Sequence, residues 1–130
     1  MSILKVDNIR DNGTGFNDVV SFQNGNGTEN GKLVGAFVNF NGVGAISIRG
    51  SFNVNSLTDN GNGDYTANFA NSFSSANYAA AMTGKQEVGD YPYSPPSDIE
   101  STATGSVRMR RHVHTIGGFD TSECHILCVR

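Results

Sequence analysis

Apolar and polar side chains alternate along much of the chain. Ala36, Val38 and Phe40 fall on one side of such a pattern, and residues 64–69 and 78–82 continue it. Successive side chains of a β-strand point to opposite faces, so this period of two predicts half-buried antiparallel strands. Residues 46–49 and 107–114 show the same pattern, and we find no helical stripe.

The final apolar run is different, because residues 124–129 are largely apolar on both faces. Such a run predicts a central strand, or a strand buried in a subunit interface. The alternation predicts one core set, namely Val38, Phe40, Ile46, Ile48, Tyr65, Phe69, Ile126 and Cys128.

Turn chemistry dominates the first half of the chain, which contains seven Asn-Gly dipeptides. Asn and Gly tolerate positive φ, as type I′ hairpin turns require, and residues 59–64 are interpreted as such a turn. We therefore predict an all-β chain, an antiparallel β-sandwich of jelly-roll type. Residues 1–31 are interpreted as an N-terminal arm or docking segment, and residues 32–130 as the sandwich. Residues 85–104 are expected to be irregular.

Composition narrows the possible partners. Apolar residues make up 37% of the chain and charged residues 16%, and the net charge is −3. This balance gives no sign of nucleic-acid binding, and no apolar run reaches the ~18 residues of a membrane span. The N-terminus lacks the apolar core of a signal peptide, so secretion is not expected. The low apolar share favours thin sheets with much exposed surface, or a subunit completed by its neighbours.

The two cysteines, Cys124 and Cys128, are four residues apart in a predicted strand. Their Cα atoms would lie ~13 Å apart, beyond the ~7 Å limit of a disulfide. We expect two reduced, buried thiols.

Residues 37–69 carry a resemblance to a known family. They contain Phe-Val-Asn-Phe-Asn-Gly at 37–42, Ala-Ile-Ser-Ile-Arg at 45–49 and Asp-Asn-Gly-Asn-Gly-Asp-Tyr-Thr at 59–66. This segment resembles tail-fibre-like virion proteins of marine phages, including cyanophages, and residues 2–9 resemble their opening. The resemblance covers about half the chain.

This resemblance implies a β-rich homotrimer in the virion, at a fibre or its tip, and it supplies no catalytic residue. Three features depart from the pattern. Phe37 stands where Trp is common, and the loop with Tyr91 and Tyr93 and the Arg/His strand are not shared. A chain of 130 residues also leaves no room for a shaft, which favours a tip, a short fibre or a decoration protein.

Tests for catalytic groups predict no enzyme and no cofactor. There is no Gly-x-Ser-x-Gly elbow, and the three histidines all fall in the last 20 residues. Asp59 and Asp64 flank a turn, where carboxylates act as acceptors for backbone N–H groups. Residues 59–64 also lack the ligand spacing and the terminal Glu of a calcium loop.

A basic strand gives the first binding candidates, Arg108, Arg110 and Arg111. With His112 and His114 it forms a cluster suited to an acidic partner: an anionic glycan, a lipopolysaccharide phosphate or an acidic capsid patch. The alternative is a solvated face. His112 and His114 are also weak metal candidates, because imidazoles two apart on a strand share a face. Arg108 and Arg110 share that face and disfavour a cation, so no metal is expected.

Two loops give the other binding candidates, Tyr91, Tyr93 and Phe119. The two tyrosines would stack on sugar rings or pack their own loop down. The leading hypothesis is a tail-fibre or fibre-tip component of the virion that meets a host surface glycan or lipopolysaccharide. The alternative is a capsid decoration or adaptor protein whose N-terminal arm docks on other virion proteins, and a depolymerising enzyme ranks below both.

Overall fold

A computed structural model describes residues 19–24, 27–32, 34–85, 97–113 and 117–129. It contains eleven strands: β1 (Val19–Asn24), β2 (Gly27–Lys32), β3 (Val34–Asn41), β4 (Ser47–Phe52), β5 (Val54–Gly61), β6 (Asp64–Phe69), β7 (Ala79–Gly84), β8 (Ser97–Ala103), β9 (Ser106–Val113), β10 (Gly117–Gly118) and β11 (Cys124–Val129). No described residue lies in a helix, and all the strand pairs are antiparallel. The predicted all-β, antiparallel class is confirmed for this part of the chain.

The chain divides into two compact units, residues 1–32 and residues 33–130. In the first, β1 and β2 form an antiparallel hairpin whose register runs from Val19 opposite Lys32 to Asn24 opposite Gly27. Most of the predicted N-terminal arm, residues 1–18, lies outside the described residues.

The second unit contains two sheets. The four-stranded sheet has the order β4-β3-β11-β7, so β11 is a central strand, as its two apolar faces predict. The five-stranded sheet has the order β10-β9-β6-β5, and β8 also pairs with β9.

The inward side chains of both sheets form one hydrophobic core. The rings of Phe40 (β3) and Tyr65 (β6) meet edge to face across it, with their centroids 5.0 Å apart. Six of the eight predicted core residues are buried, which confirms the inward phases of β3, β6 and β11; they are Val38, Phe40, Tyr65, Phe69, Ile126 and Cys128.

The prediction fails at the two isoleucines immediately before and within β4. Ile46 is only partly buried against the core, and Ile48 is 39% exposed. The strand lies at the edge of its sheet, and its register with β3 shifts between Asn39 and Phe40. After the shift Ile48 lies opposite the buried Phe40, so its exposure follows from the edge position, where all six residues of β4 are exposed. Simple alternation cannot anticipate which strand lies at an edge.

Two loop predictions are also corrected. Residues 97–103, assigned to the irregular stretch, form β8. The β5–β6 turn is not type I′, because Asn62 lacks the positive φ that this type requires, whereas Gly63 has a φ of +68°. A Cβ atom on Gly63 would also collide with backbone atoms of Arg111 and Phe119, so this position needs glycine.

Cys124 and Cys128 are both buried and free, as predicted from their spacing. Burial raises the pKa of the Cys128 thiol to about 11. The group is therefore protonated, and unreactive as a nucleophile, near neutral pH.

Candidate binding face on the five-stranded sheet

Strand β9 presents the basic side chains to two different sides. Val107, Met109 and Arg111 point into the core, whereas Arg108 and Arg110 project outward. The period of two dictates this division, since 107, 109 and 111 share one face. The basic strand is therefore not a single cationic surface.

Asp64 of β6 neutralises the outward arginines. Arg108 donates two hydrogen bonds to it, from Nε to Oδ1 at 2.9 Å and from an Nη to Oδ2 at 2.7 Å. Arg110, directly opposite Asp64 in the register, places its Nε 3.3 Å from Oδ2. The hydrogen bond from Arg108 lowers the pKa of Asp64, and the charges of both arginines add to this although burial opposes it.

Strand β8 adds further acids on the other side of β9. Glu100 lies 3.6 Å from Arg110, and Asp98 lies 3.3 Å from Nδ1 of His112. Two guanidinium groups thus face three carboxylates, and these five groups carry a formal charge of −1. Such a surface does not concentrate an acidic partner in the way that an unpaired basic strand would.

The metal candidates are not brought together by the described residues. His114 lies outside them, and His112 is half-buried beside Asp98 without hydrogen-bond geometry at Nδ1. Within the described ranges, no three or more His, Cys, Asp or Glu side chains cluster to hold an ion.

Arg111 is the unexpected residue of the strand, because it is only 1% exposed. One guanidinium nitrogen donates to Thr121 Oγ1 at 2.9 Å, and its backbone N–H donates to the Gly63 carbonyl at 2.7 Å. Its Nε has no hydrogen-bond partner among the described atoms. Position 111 shares one face of β9 with Val107 and Met109, which indicated burial. The charge of arginine nevertheless led to the prediction of an exposed side chain.

The loop that follows β10 is tied to both sheets. Asp120 Oδ1 accepts hydrogen bonds from the Gly63 N–H at 2.8 Å and from the Tyr65 hydroxyl at 2.7 Å. The Thr121 carbonyl accepts from the Gly42 N–H at 2.9 Å. Burial, reinforced by Asp120, raises the pKa of Tyr65 well above its ordinary range, so the hydroxyl keeps its proton.

The other candidates divide between described and undescribed residues. Tyr91 and Tyr93 lie outside the described residues. Phe119 is half-buried, and its backbone N–H donates to the Arg111 carbonyl at 3.2 Å. Asp59 accepts from the Gly61 N–H at 2.9 Å, which is the turn-acceptor role expected for it.

A ladder of amides and hydroxyls completes the outward surface of β5 and β6. Asn60 Nδ2 donates to Thr66 Oγ1 at 2.9 Å, and Asn68 Nδ2 lies 3.1 Å from Thr58 Oγ1 and 3.2 Å from Ser56 Oγ. We define the polar face by these outward side chains of the five-stranded sheet: Ser56, Thr58, Asn60, Asp64, Thr66, Asn68, Asp98, Glu100, Arg108, Arg110 and His112. Sequence reasoning missed the ladder, although polar side chains at alternate positions of 56–60 and 64–68 were its signal.

No protein family, curated protein or solved structure matches this chain. Within the described part of the chain, no helix has the length and apolar character to cross a membrane.

Proposed function

We propose that this chain is a structural protein of a phage virion, specifically a tail-fibre or fibre-tip component that takes part in host attachment. In this proposal the second unit is a jelly-roll-like β-sandwich, the chain is a homotrimer, and the N-terminal segment contacts other virion proteins. It is not an enzyme and uses no cofactor.

One observation carries the proposal: the residues that carry the family resemblance lie in strands and turns of both sheets. Residues 37–42 form most of β3 and the turn after it, residues 47–49 begin β4, and residues 59–66 contain the β5–β6 hairpin. The Phe40–Tyr65 contact joins two of these segments across the core. The resemblance to tail-fibre-like proteins therefore rests on residues that build both sheets.

The polar face suits a neutral glycan better than a phosphate group. Its amides, hydroxyls and guanidinium groups are held in place by one another, and ordered donors and acceptors are what sugar hydroxyls require. Its formal charge of −1 gives no attraction to a lipopolysaccharide phosphate. A host surface glycan is the partner that this surface favours.

The alternative is a capsid decoration or adaptor protein with a purely structural role. The same ion pairs favour it, because Arg108 and Arg110 are already engaged by Asp64 and Glu100. A surface whose charges satisfy each other needs no ligand.

The position of the chain in the particle tests the proposal. Purified particles from the source that encodes the chain would be labelled with gold-conjugated antibody and imaged. We expect label at the tail fibres, whereas label on the capsid surface would favour the decoration protein. Particles that lack the chain would overturn both assignments.

A further inference from the structure

The outer surface of the four-stranded sheet carries an apolar row that crosses all four strands. Ala81 of β7 lies opposite Leu127 of β11, Leu127 lies opposite Phe37 of β3, and Phe37 lies opposite Phe52 of β4. Directly opposed residues project from the same side of a sheet. The Phe37 and Phe52 rings stack with their centroids 6.3 Å apart.

A second apolar row lies beside the first. Val129 is opposite Ala79 on β7 and opposite Val34 on β3. The register between β11 and β3 shifts at this point, which brings Val34 out of the inward phase of Ala36 and leaves it 44% exposed. We define the apolar face by the residues of both rows: Val34, Phe37, Phe52, Ala79, Ala81, Leu127 and Val129.

Large apolar side chains are concentrated on this face. Of the seven large hydrophobic side chains exposed in the described residues, four lie there: Val34, Phe37, Phe52 and Leu127. Phe37 is 43% exposed and Phe52 is 53% exposed, so at roughly 200 Å² per ring they offer about 200 Å² together. Single exposed apolar side chains are normal on a protein surface, whereas a contiguous group of them is a candidate interaction site.

We propose that the apolar face is an interface between copies of this chain. The charge of the face permits this occupant, because none of its seven side chains is charged. The chain has a net charge of −3, yet two copies that meet here bring no like charges together at the contact. A nucleic acid or an anionic surface would find no ion pair on this face.

Shape also fits a second copy. The bulky side chains Leu127, Phe37 and Phe52 occupy β11, β3 and β4, whereas β7 presents only Ala79 and Ala81 in the two rows. Bulky side chains of β3 and β4 in one copy can pack over the small side chains of β7 in another, as interdigitating sheet faces do. Next to the rows, Thr83, His125 and Asn39 lie opposite one another and give the apolar centre a polar rim.

This inference names the contact surface of the homotrimer in the proposed function. A standard interface buries about 800 Å² per partner, so the apolar face would form its centre rather than its whole area. The interface holds for a dimer as well as for a trimer. A dimer would overturn the fibre-like symmetry and leave the interface in place.

Sedimentation of the full chain at micromolar concentration tests the interface. We expect the wild-type chain to be oligomeric and Leu127→Lys to weaken association about 30-fold or more, as central apolar contacts do. Phe52→Lys on the edge strand β4 is the second variant, in case the central strand does not tolerate a charge. Thr58→Lys on the polar face is the matched control and should remain oligomeric. Circular dichroism verifies that each variant is folded.

Cysteine accessibility locates the contact. Because Cys124 and Cys128 are buried, an added surface thiol is the main site for a maleimide reagent. We expect Ala81→Cys to react more slowly than Thr58→Cys at assembling concentration, and the two to react alike when Leu127→Lys is also present.

Three outcomes would overturn the inference. The first is a wild-type chain that stays monomeric, even if the Ala81→Cys variant shows a thiol protected by another part of the same chain. The second is an oligomer in which Ala81→Cys reacts as fast as Thr58→Cys. The third is an oligomer that both lysine variants leave intact. None of these depends on where the chain lies in a particle, so the interface and the proposed function can fail separately.

Discussion

The two sheets of residues 33–130 share one core but differ on their outer sides. The apolar face crosses four strands without a charge, whereas the polar face is filled with amides, hydroxyls and ion pairs. Apart from Arg111, the buried inward-facing residues of the strands are apolar in both sheets, so the core imposes the same demand on each. The outward residues are free of that demand, so the two outer surfaces can differ in composition.

The two faces also differ in how their side chains find partners. On the polar face, Asp64 binds Arg108 and Arg110, and Asn68 binds hydroxyls of the neighbouring strand, so the groups satisfy one another. Apolar side chains gain only by leaving water, and on the apolar face they do so fully only when another surface covers them. In one chain alone, the four large side chains of the apolar face remain 41–53% exposed.

The largest expected effect on stability comes from substitutions on the two sides of β3. Phe40→Ala should lower the free energy of unfolding by about 3–5 kcal/mol, because Phe40 is completely buried. Phe37→Ala, outward on the same strand, should cost about 1 kcal/mol or less. Both are measured by chemical denaturation in the Leu127→Lys background, so that assembly does not contribute. Equal losses would contradict the assignment of the two sides.

Next in size is the ion pair of the polar face. Asp64→Asn should lower the free energy of unfolding by about 1–3 kcal/mol, since it removes a buried charged acceptor of two hydrogen bonds from Arg108. Glu100→Gln is the control, because its contact with Arg110 is exposed and 3.6 Å long. We expect the control to change stability by about 0.5 kcal/mol or less.

The pH dependence sharpens this prediction. The pKa of Asp64 is lowered in the folded chain, so the unfolded chain takes up a proton first as the pH falls. The stability difference between wild type and Asp64→Asn should be complete above about pH 4 and shrink as the pH falls through the folded pKa. Chemical denaturation at a series of acidic pH values measures this stability difference. A difference that grew on acidification would contradict the lowered pKa of Asp64.

The smallest effect belongs to the amide ladder. Asn68→Ala removes exposed contacts with Ser56 and Thr58 and should cost about 0.5–1 kcal/mol. Thermal unfolding checks this, with Asn55→Ala as the control for an exposed Asn on β5. A loss as large as that of Asp64→Asn would show that the ladder supports the sheet more than its exposure indicates.

Alternation predicted the inward residues of β3, β6 and β11 because burial against one core leaves a period of two. It failed at Ile48, which lies on an edge strand whose six residues are all exposed. It also missed β8, whose sequence Ser-Asp-Ile-Glu-Ser-Thr-Ala has little apolar signal and whose acids Asp98 and Glu100 act through contacts with β9.

The candidate site was less predictable than the fold. Arg108 and Arg110 were recognised as outward cations, but their acidic partners come from other strands, and sequence distance does not show such pairing. The apolar face was hidden for a related reason. Phe37 and Leu127 lie on strands with apolar residues on both sides, and the pattern does not tell which side the core covers.

The pairing of Val34 with Val129 has a mechanical consequence. The start of β3 and the end of β11 lie side by side, so tension applied through these two points would peel the strands apart one pair at a time instead of shearing them. Strand β3 carries the chain roughly 25 Å away from that point, to the turn where Gly42 meets Thr121. A force applied to the chain at Val34 or Val129 would therefore act at one end of β3. The hydrogen bonds of Asp120 with Gly63 and Tyr65, at the other end, would not be the first to bear it.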